Sequence, residues 1–138
     1  MSVAEDKEAI REVLYRYCYG TDNGDTELWV EGFTDDCFWD AGEMGVLRGK
    51  EAMREFHKPN AASARAMRHY TLNTLIDLQG DRAHVISYVL VIATGEPPTV
   101  FFTGFYEDRF VKIDSRWRIK SRLLRPDLAD IDAPKPKY

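Results

Sequence analysis

Two residues of this sequence, Asp22 and His69, have side chains suited to proton transfer. Histidine is the side chain best able to accept a proton near neutral pH, and a neighbouring carboxylate orients its ring and stabilises the imidazolium. In a closed apolar cavity, such a pair can remove a proton from a carbon next to a carbonyl or a leaving group. The two residues are far apart in the chain, and each has a structural alternative: Asp22 could cap a helix, and His69 could simply begin a strand.

Further candidates surround this pair in the predicted fold. Tyr17 and Tyr106 carry hydroxyls that could donate to a substrate carbonyl. Asn73 lies four residues after His69, which predicts the same face of one strand; there it could orient the substrate or satisfy a buried backbone group. The remaining aromatic candidates for the pocket wall are Phe33, Trp39, Tyr88 and Phe102, with ordinary core packing as the alternative. His57, at the end of a predicted surface helix, and His84, on the predicted outer face of a strand, are weaker candidates.

Composition excludes several classes of protein. The 138 residues fit one domain, and a net charge of -4 without a basic cluster argues against nucleic-acid binding. The longest apolar run, Val89 to Ala93, is too short to span a membrane. Cys18 and Cys37 are predicted to be buried free thiols in a reducing compartment, and no His/Cys grouping has zinc spacing. We therefore expect a cytoplasmic protein without a metal site.

The order of the predicted elements indicates an α+β fold, because helices come first and hairpin-linked strands follow. Ser2 and Glu5 form a capping box for the first helix, which ends near Asp22. The other predicted helices cover Thr26 to Phe33 and Lys50 to His57. The predicted strands are Cys37 to Asp40, Arg68 to Gln79, Ala83 to Thr94, Thr99 to Ile113 and Trp117 to Leu124. We expect residues 1–126 to form the domain and residues 127–138 to form a loosely attached tail.

An ordered set of short motifs resembles the SnoaL-like and scytalone-dehydratase-like branch of the nuclear-transport-factor-two-like superfamily. The motifs are Tyr17 to Asp25, Phe33 to Cys37, Gly49 to Met53, Arg68 to Tyr70, Gly80 to Ala83 and Lys112 to Trp117. The resemblance implies a cone-shaped barrel, in which a curved antiparallel or mixed sheet wraps around the N-terminal helices and encloses an apolar cavity.

The resemblance also assigns roles. Asp22 and His69 match the Asp–His dyad of scytalone-dehydratase-like and dehydrochlorinase-like enzymes, and Tyr17 matches the carbonyl-polarising tyrosine of steroid isomerases. Val89 stands where scytalone dehydratases have a second histidine, which argues against that specific enzyme. Asp40 lies one residue before the position of the isomerase base, and a slip of one residue turns a strand side chain to the other face.

These observations predict a cofactor-free lyase or isomerase of the dehydratase type, acting on a small, largely apolar cyclic substrate. His69 is the expected general base, Asp22 its orienting partner, and Tyr17 or Tyr106 the donor to a carbonyl. The alternative is a non-catalytic protein of the same fold that binds a small molecule. By analogy with other sheets of this kind, we also expect a homodimer or homotrimer.

Overall fold

A computed structural model describes residues 1–127, together with residues 132, 134, 136 and 137. Most of the predicted tail lies outside the described residues. The elements are α1 (Val3–Asp22), α2 (Thr26–Glu31), β1 (Phe33–Asp40), β2 (Val46–Arg48), α3 (Lys50–His57), α4 (Ala61–Ala64), β3 (Met67–Gln79), β4 (Arg82–Ala93), β5 (Thr99–Ile113) and β6 (Arg116–Pro126). Short 3-10 turns cover Gly42–Met44 and Lys58–Asn60.

The long helix α1 contributes one buried face to the core. Its capping box is present, since the Ser2 hydroxyl accepts from the Glu5 backbone N–H and the Glu5 carboxylate accepts from the Ser2 backbone N–H. Four of its apolar side chains are buried at helical spacing: Ile10, Leu14, Tyr17 and Cys18. This face packs against the sheet, so the last turn of α1 carries Asp22 to the inner side of β3.

The six strands form one mixed sheet in the order β2-β1-β6-β5-β4-β3. The β1–β6 pair is parallel and all others are antiparallel. The sheet is open, with β2 and β3 as its edges. Strand β1 begins at Phe33, so the prediction that the second helix reaches Phe33 is wrong. Gly32 ends α2, and its carbonyl accepts from the Ile119 N–H at 2.7 Å, which holds the following residues against β6.

Two irregularities in strand pairing decide which side chains face inward. In β3 the register shifts between Leu72 and Leu75, and Asn73 there has a positive φ of 52°. In β6, Ile119 pairs with Phe110 and Ser121 pairs with Arg109, which leaves Lys120 as an extra residue. An extra residue reverses the alternation of side chains beyond it. Both shifts therefore alter the composition of the inner face.

The buried core lies between α1, α2 and the inner face of the sheet. Among the described residues, no helix has the length and apolar character needed to cross a membrane.

Candidate functional site

Asp22 and His69 are joined by two hydrogen bonds. The Asp22 Oδ1 lies 2.6 Å from the ring Nδ1 of His69, and Oδ2 accepts from the His69 backbone N–H at 2.9 Å. Asp22 is 9% exposed, and the His69 side chain is 21% exposed. The last turn of α1 and the start of β3 therefore bring together two residues that are distant in the sequence.

This arrangement selects one state of the imidazole. A carboxylate beside Nδ1 favours the tautomer that carries its proton there, which leaves Nε2 with a free lone pair. Because Asp22 also holds the backbone of His69, the ring has a fixed position relative to the carboxylate. The pair is thus arranged so that Nε2 can accept a proton while Asp22 stabilises the resulting positive charge.

A second contact supports the same two elements. The Cys18 thiol and the Thr71 hydroxyl lie 3.3 Å apart. Cys18 is one helical turn before Asp22, and Thr71 is two residues after His69, so the contact joins the same faces of α1 and β3. Burial raises the pKa of the Cys18 thiol, while the nearby Arg122 opposes this effect and Asp22 adds to it. Cys18 is therefore a neutral thiol that lies within electrostatic range of both charged groups.

The sequence reasoning missed a buried ion pair inside the cone. Arg122 donates from Nε and Nη2 to the two carboxylate oxygens of Asp108 at 2.8 and 2.9 Å, and both side chains are 0% exposed. The guanidinium lies 3.7 Å from the ring centroid of Tyr106 and 4.3 Å from that of Tyr17. Its third nitrogen, Nη1, is buried without a hydrogen-bond partner among the described residues. This free donor can serve an oxygen or another acceptor.

The electrostatics of the pair follow from its burial. Burial raises the pKa of the Asp108 carboxyl, and the Arg122 guanidinium counteracts this effect. Burial disfavours the charged form of Arg122, but the Asp108 carboxylate outweighs it and raises the pKa of Arg122 further above its ordinary value. Arg122 is therefore a permanent positive charge in the interior.

The shift in β6 explains why Arg122 was missed. Strict alternation from the inward Trp117 and Ile119 places Arg122 on the outside, whereas the extra Lys120 turns it inward. A signal for its partner was present, because Asp108 alternates with Tyr106 and Phe110 and therefore shares their inner face. A charged residue at an inward position requires an opposite charge nearby.

Several predicted site residues do lie on the inner side. Tyr17 and Trp39 are buried, and the Trp39 indole N–H donates to the Tyr17 hydroxyl at 3.2 Å, so that hydroxyl keeps its own proton for another acceptor. Phe102 is partly buried in the same cross-strand row as His69, with Val91 between them. Phe33 and Tyr106 are buried around Tyr17, with ring centroids 6.0 and 6.1 Å from it.

The structure places two predicted pocket residues outside. Asn73 is exposed, because the register shift in β3 turns it away from the face of His69. Tyr88 is 62% exposed, since its neighbours Ser87 and Val89 occupy the inward positions of β4. The expectation that Asn73 and Tyr88 line an internal pocket is therefore wrong for this chain.

Asp40 also points away from the interior, on the face opposite to Trp39. Arg125 Nη2 donates to its Oδ2 at 2.9 Å, and the Gly42 N–H donates to Oδ1. Hydrogen bonding to Arg125, then to the Gly42 backbone, lowers the pKa of the Asp40 carboxyl. A carboxylate that is held in this way is a poor general base, which argues against the isomerase assignment of Asp40.

The other histidines occupy different environments. His57 is buried, contrary to the prediction of a surface position, and it is considered further below. His84 lies on the outer side of the sheet, as predicted, and its Nε2 is 2.7 Å from the Glu107 carboxylate. Among the described residues, no three His, Cys, Asp or Glu side chains are grouped so that they could hold a metal ion.

Two surface clefts have volumes of about 320 and 530 Å³. The smaller one lies beside His84 and Arg109, and the larger one lies between α1, α2 and the start of β6. Neither contains Asp22 or His69, and the candidate site consists of the hydrogen-bonded pair and the buried charges near it.

An open mixed sheet around a long helix, with a hydrogen-bonded Asp and His inside, defines a cone-shaped α+β domain with an internal polar site. The chain belongs to the SnoaL-like domain family, which it matches over residues 2–123. No curated protein matches its sequence.

Solved structures share this fold. A protein of unknown function from Mycobacterium tuberculosis is 33% identical, with a TM-score of 0.81, over 92% of this chain and 79% of its own. A cystatin-like-fold protein of unknown function from Nostoc punctiforme is 27% identical, with a TM-score of 0.84, over 92% and 95% of the two chains. A candidate scytalone dehydratase from Novosphingobium aromaticivorans is 26% identical, with a TM-score of 0.78, over 91% and 86%.

Proposed function

We propose that this protein is a cofactor-free lyase or isomerase of the dehydratase type, in which His69 removes a proton from a carbon of a small, largely apolar cyclic substrate. The observation that carries the proposal is the 2.6 Å contact between Asp22 Oδ1 and His69 Nδ1, which leaves Nε2 as the proton acceptor. The similarity to a candidate scytalone dehydratase supports the same class of reaction.

The first step breaks a C–H bond, and the proton moves to His69 Nε2. The electron pair passes toward a substrate carbonyl or expels a leaving group from the neighbouring carbon. In a dehydration, the leaving hydroxide takes the proton back from the imidazolium and departs as water. In an isomerisation, the proton returns to a different carbon. General base catalysis of this kind contributes about 100- to 10,000-fold to the rate.

The interior offers two donors for the negative charge that develops on the substrate. The Tyr17 hydroxyl accepts from Trp39 and can donate in turn, and Arg122 Nη1 has no hydrogen-bond partner among the described residues. A buried donor without a partner costs about 1–3 kcal/mol, so an oxygen that accepted from Arg122 would remove that cost on binding. The Arg122 guanidinium carbon lies 4.3 Å from the Tyr17 ring centroid, so both donors belong to one cluster of buried side chains.

The test measures proton abstraction itself, because dehydration, dehydrohalogenation and isomerisation all begin with this step. A panel of cyclic ketones and β-hydroxyketones is incubated with the protein in D₂O, and loss of the carbon-bound proton is followed by NMR. We expect His69→Gln and Asp22→Asn to abolish exchange. His84→Gln and Asp40→Asn are the matched controls, because each removes a hydrogen-bonded His or Asp outside the interior, and both should retain exchange.

Two results would contradict the proposal. Exchange that survives in a folded His69→Gln variant would show that another group is the base. Substrate analogues that bind without any exchange, and bind equally well to His69→Gln, would favour the non-catalytic binding protein instead.

A further inference from the structure

His57, the last residue of α3, is 4% exposed and makes hydrogen bonds through both ring nitrogens. Its Nδ1 lies 2.7 Å from the Thr26 hydroxyl, and its Nε2 lies 3.4 Å from the Thr21 hydroxyl. The ring is stacked on Trp29 at a centroid distance of 4.6 Å and an angle of 21°. A stacked apolar ring would fill the same space, so the two hydrogen bonds are the feature that needs an explanation.

The two hydroxyls belong to the segment that carries Asp22. Thr21 immediately precedes Asp22 in the last turn of α1, and Thr26 is the first residue of α2. His57 thus contacts the residues on both sides of the turn that connects these helices. The longer of the two bonds is the weaker, so the Thr26 contact provides most of the restraint.

The chain that follows His57 leads directly to the other half of the pair. Residues 58–66 form a 3-10 turn and α4, and β3 then begins two residues before His69. This connection also packs on the turn after Asp22: a side chain at Gly24, where φ is +67°, would lie 2.8 Å from the Ala61 carbonyl oxygen. The segments that carry Asp22 and His69 are therefore in close contact at His57 and at Gly24.

We propose that His57 is a positioning residue for the Asp22–His69 pair: by binding Thr26 and Thr21, it fixes the end of α1 relative to the connection that leads into β3. The positioning role of His57 rests on the proposed function, but the effect of His57 on the His69 ring can be measured without turnover. Burial lowers the pKa of His57, so its ring is neutral near pH 7 and offers one donor and one acceptor to the two hydroxyls.

The proposal predicts effects on His69 that a purely structural role for His57 would not produce. His57→Phe keeps the stacking on Trp29 and removes both hydrogen bonds. Thr26→Val removes only the stronger partner. His57→Asn keeps a nitrogen close to the position of Nδ1 and is expected to recover part of the function. His84→Gln removes a histidine from the outer sheet face and serves as the control.

The experiment is ¹⁵N-histidine NMR, which reports the tautomer of His69 and its Nδ1 proton. We expect the intact protein and His84→Gln to show an Nδ1-protonated ring with a strongly hydrogen-bonded proton. In His57→Phe and Thr26→Val, that resonance should weaken or disappear, and His57→Asn should restore part of it. With an active substrate, kcat should fall about 100-fold with little change in KM, as expected for misplacement by about 1 Å.

An unchanged His69 spectrum in a folded His57→Phe variant would overturn the proposal. If that variant does not fold, an unchanged spectrum in Thr26→Val has the same meaning. A protein that shows the expected NMR changes but no proton exchange with any substrate would refute the proposed function and leave the positioning role intact.

Discussion

Removal of one member of the buried Asp108–Arg122 pair should be far more harmful than removal of both. Asp108→Leu would leave the Arg122 guanidinium at 0% exposure without its carboxylate. Breaking a buried pair in this way costs about 3–5 kcal/mol. For a chain of this length, a change of 1 kcal/mol moves the midpoint of thermal unfolding by about 3 °C, so we expect a decrease of about 10 °C or more.

The double variant, Asp108→Leu with Arg122→Met, should behave differently. Replacement of a buried ion pair by apolar residues of similar volume is often neutral or stabilising, by about 1–4 kcal/mol. Two of the three guanidinium nitrogens of Arg122, Nε and Nη2, donate to Asp108, and Nη1 has no partner among the described residues. That unsatisfied donor already costs about 1–3 kcal/mol, which places the double variant toward the stabilised end of the range.

The coupling free energy between the two residues is measured by urea unfolding of the parent protein, Asp108→Leu, Arg122→Met and the double variant. A loss of less than about 1 kcal/mol in Asp108→Leu would refute the assignment of a buried, compensated charge pair. A double variant as unstable as the single variants would refute the argument that the charges, rather than the packing, cause the loss. A stable double variant without proton-exchange activity would support a functional reason for keeping the pair.

Three further predictions follow from the structure. Gly20→Ala is expected to destabilise the protein by about 1–3 kcal/mol in urea unfolding, although alanine favours an isolated helix. The new methyl would lie 2.4 Å from the Trp29 backbone nitrogen, and a stabilised variant would contradict this contact. Burial lowers the pKa of His57 in the folded protein, and the nearby Asp25 carboxylate opposes this shift. The contribution of His57 to stability is therefore complete above the unfolded pKa of about 6.5 and is lost as the pH falls through the folded pKa. His57→Phe should therefore show a shallower loss of unfolding free energy below about pH 6.5, and an unchanged slope would count against the buried neutral ring. Tyr88→Glu, on the exposed apolar sheet face with Tyr70, is expected to dissociate the proposed dimer or trimer in light scattering, whereas Tyr19→Glu on α1 should not; a monomeric parent protein would remove the basis for this expectation.

The helices and strands of this fold could be predicted from local sequence patterns. The capping box at Ser2 and Glu5, the helical spacing after it and the turn at Gly80 predicted helices and strands to within a few residues. The main error was the extension of the second helix to Phe33. The apolar side chain of Phe33 would fit the buried face of a helix or of a strand. The hydrogen bond from the Ile119 N–H to the Gly32 carbonyl, at the end of α2, joins residues far apart in the chain.

Only part of the candidate site could be predicted from the sequence. Resemblance to a family, rather than spacing, connected Asp22 with His69. The inward position of Arg122 and the outward position of Asn73 both depend on an extra residue in strand pairing, which alternation cannot reveal. Pairing register is fixed by contacts between strands, so a single sequence carries little information about where an extra residue falls.

The charged interior narrows the chemistry that this site can perform. The aromatic residues predicted a largely apolar cyclic substrate, with Tyr17 or Tyr106 as the donor to its carbonyl. Arg122 adds a second donor, because a permanent buried cation whose Nη1 has no partner among the described residues stabilises negative charge at one point. A base at His69 and a cation at Arg122 complement each other when proton removal places charge on a substrate oxygen. The proposed proton abstraction is therefore best matched by a ring that carries a carbonyl.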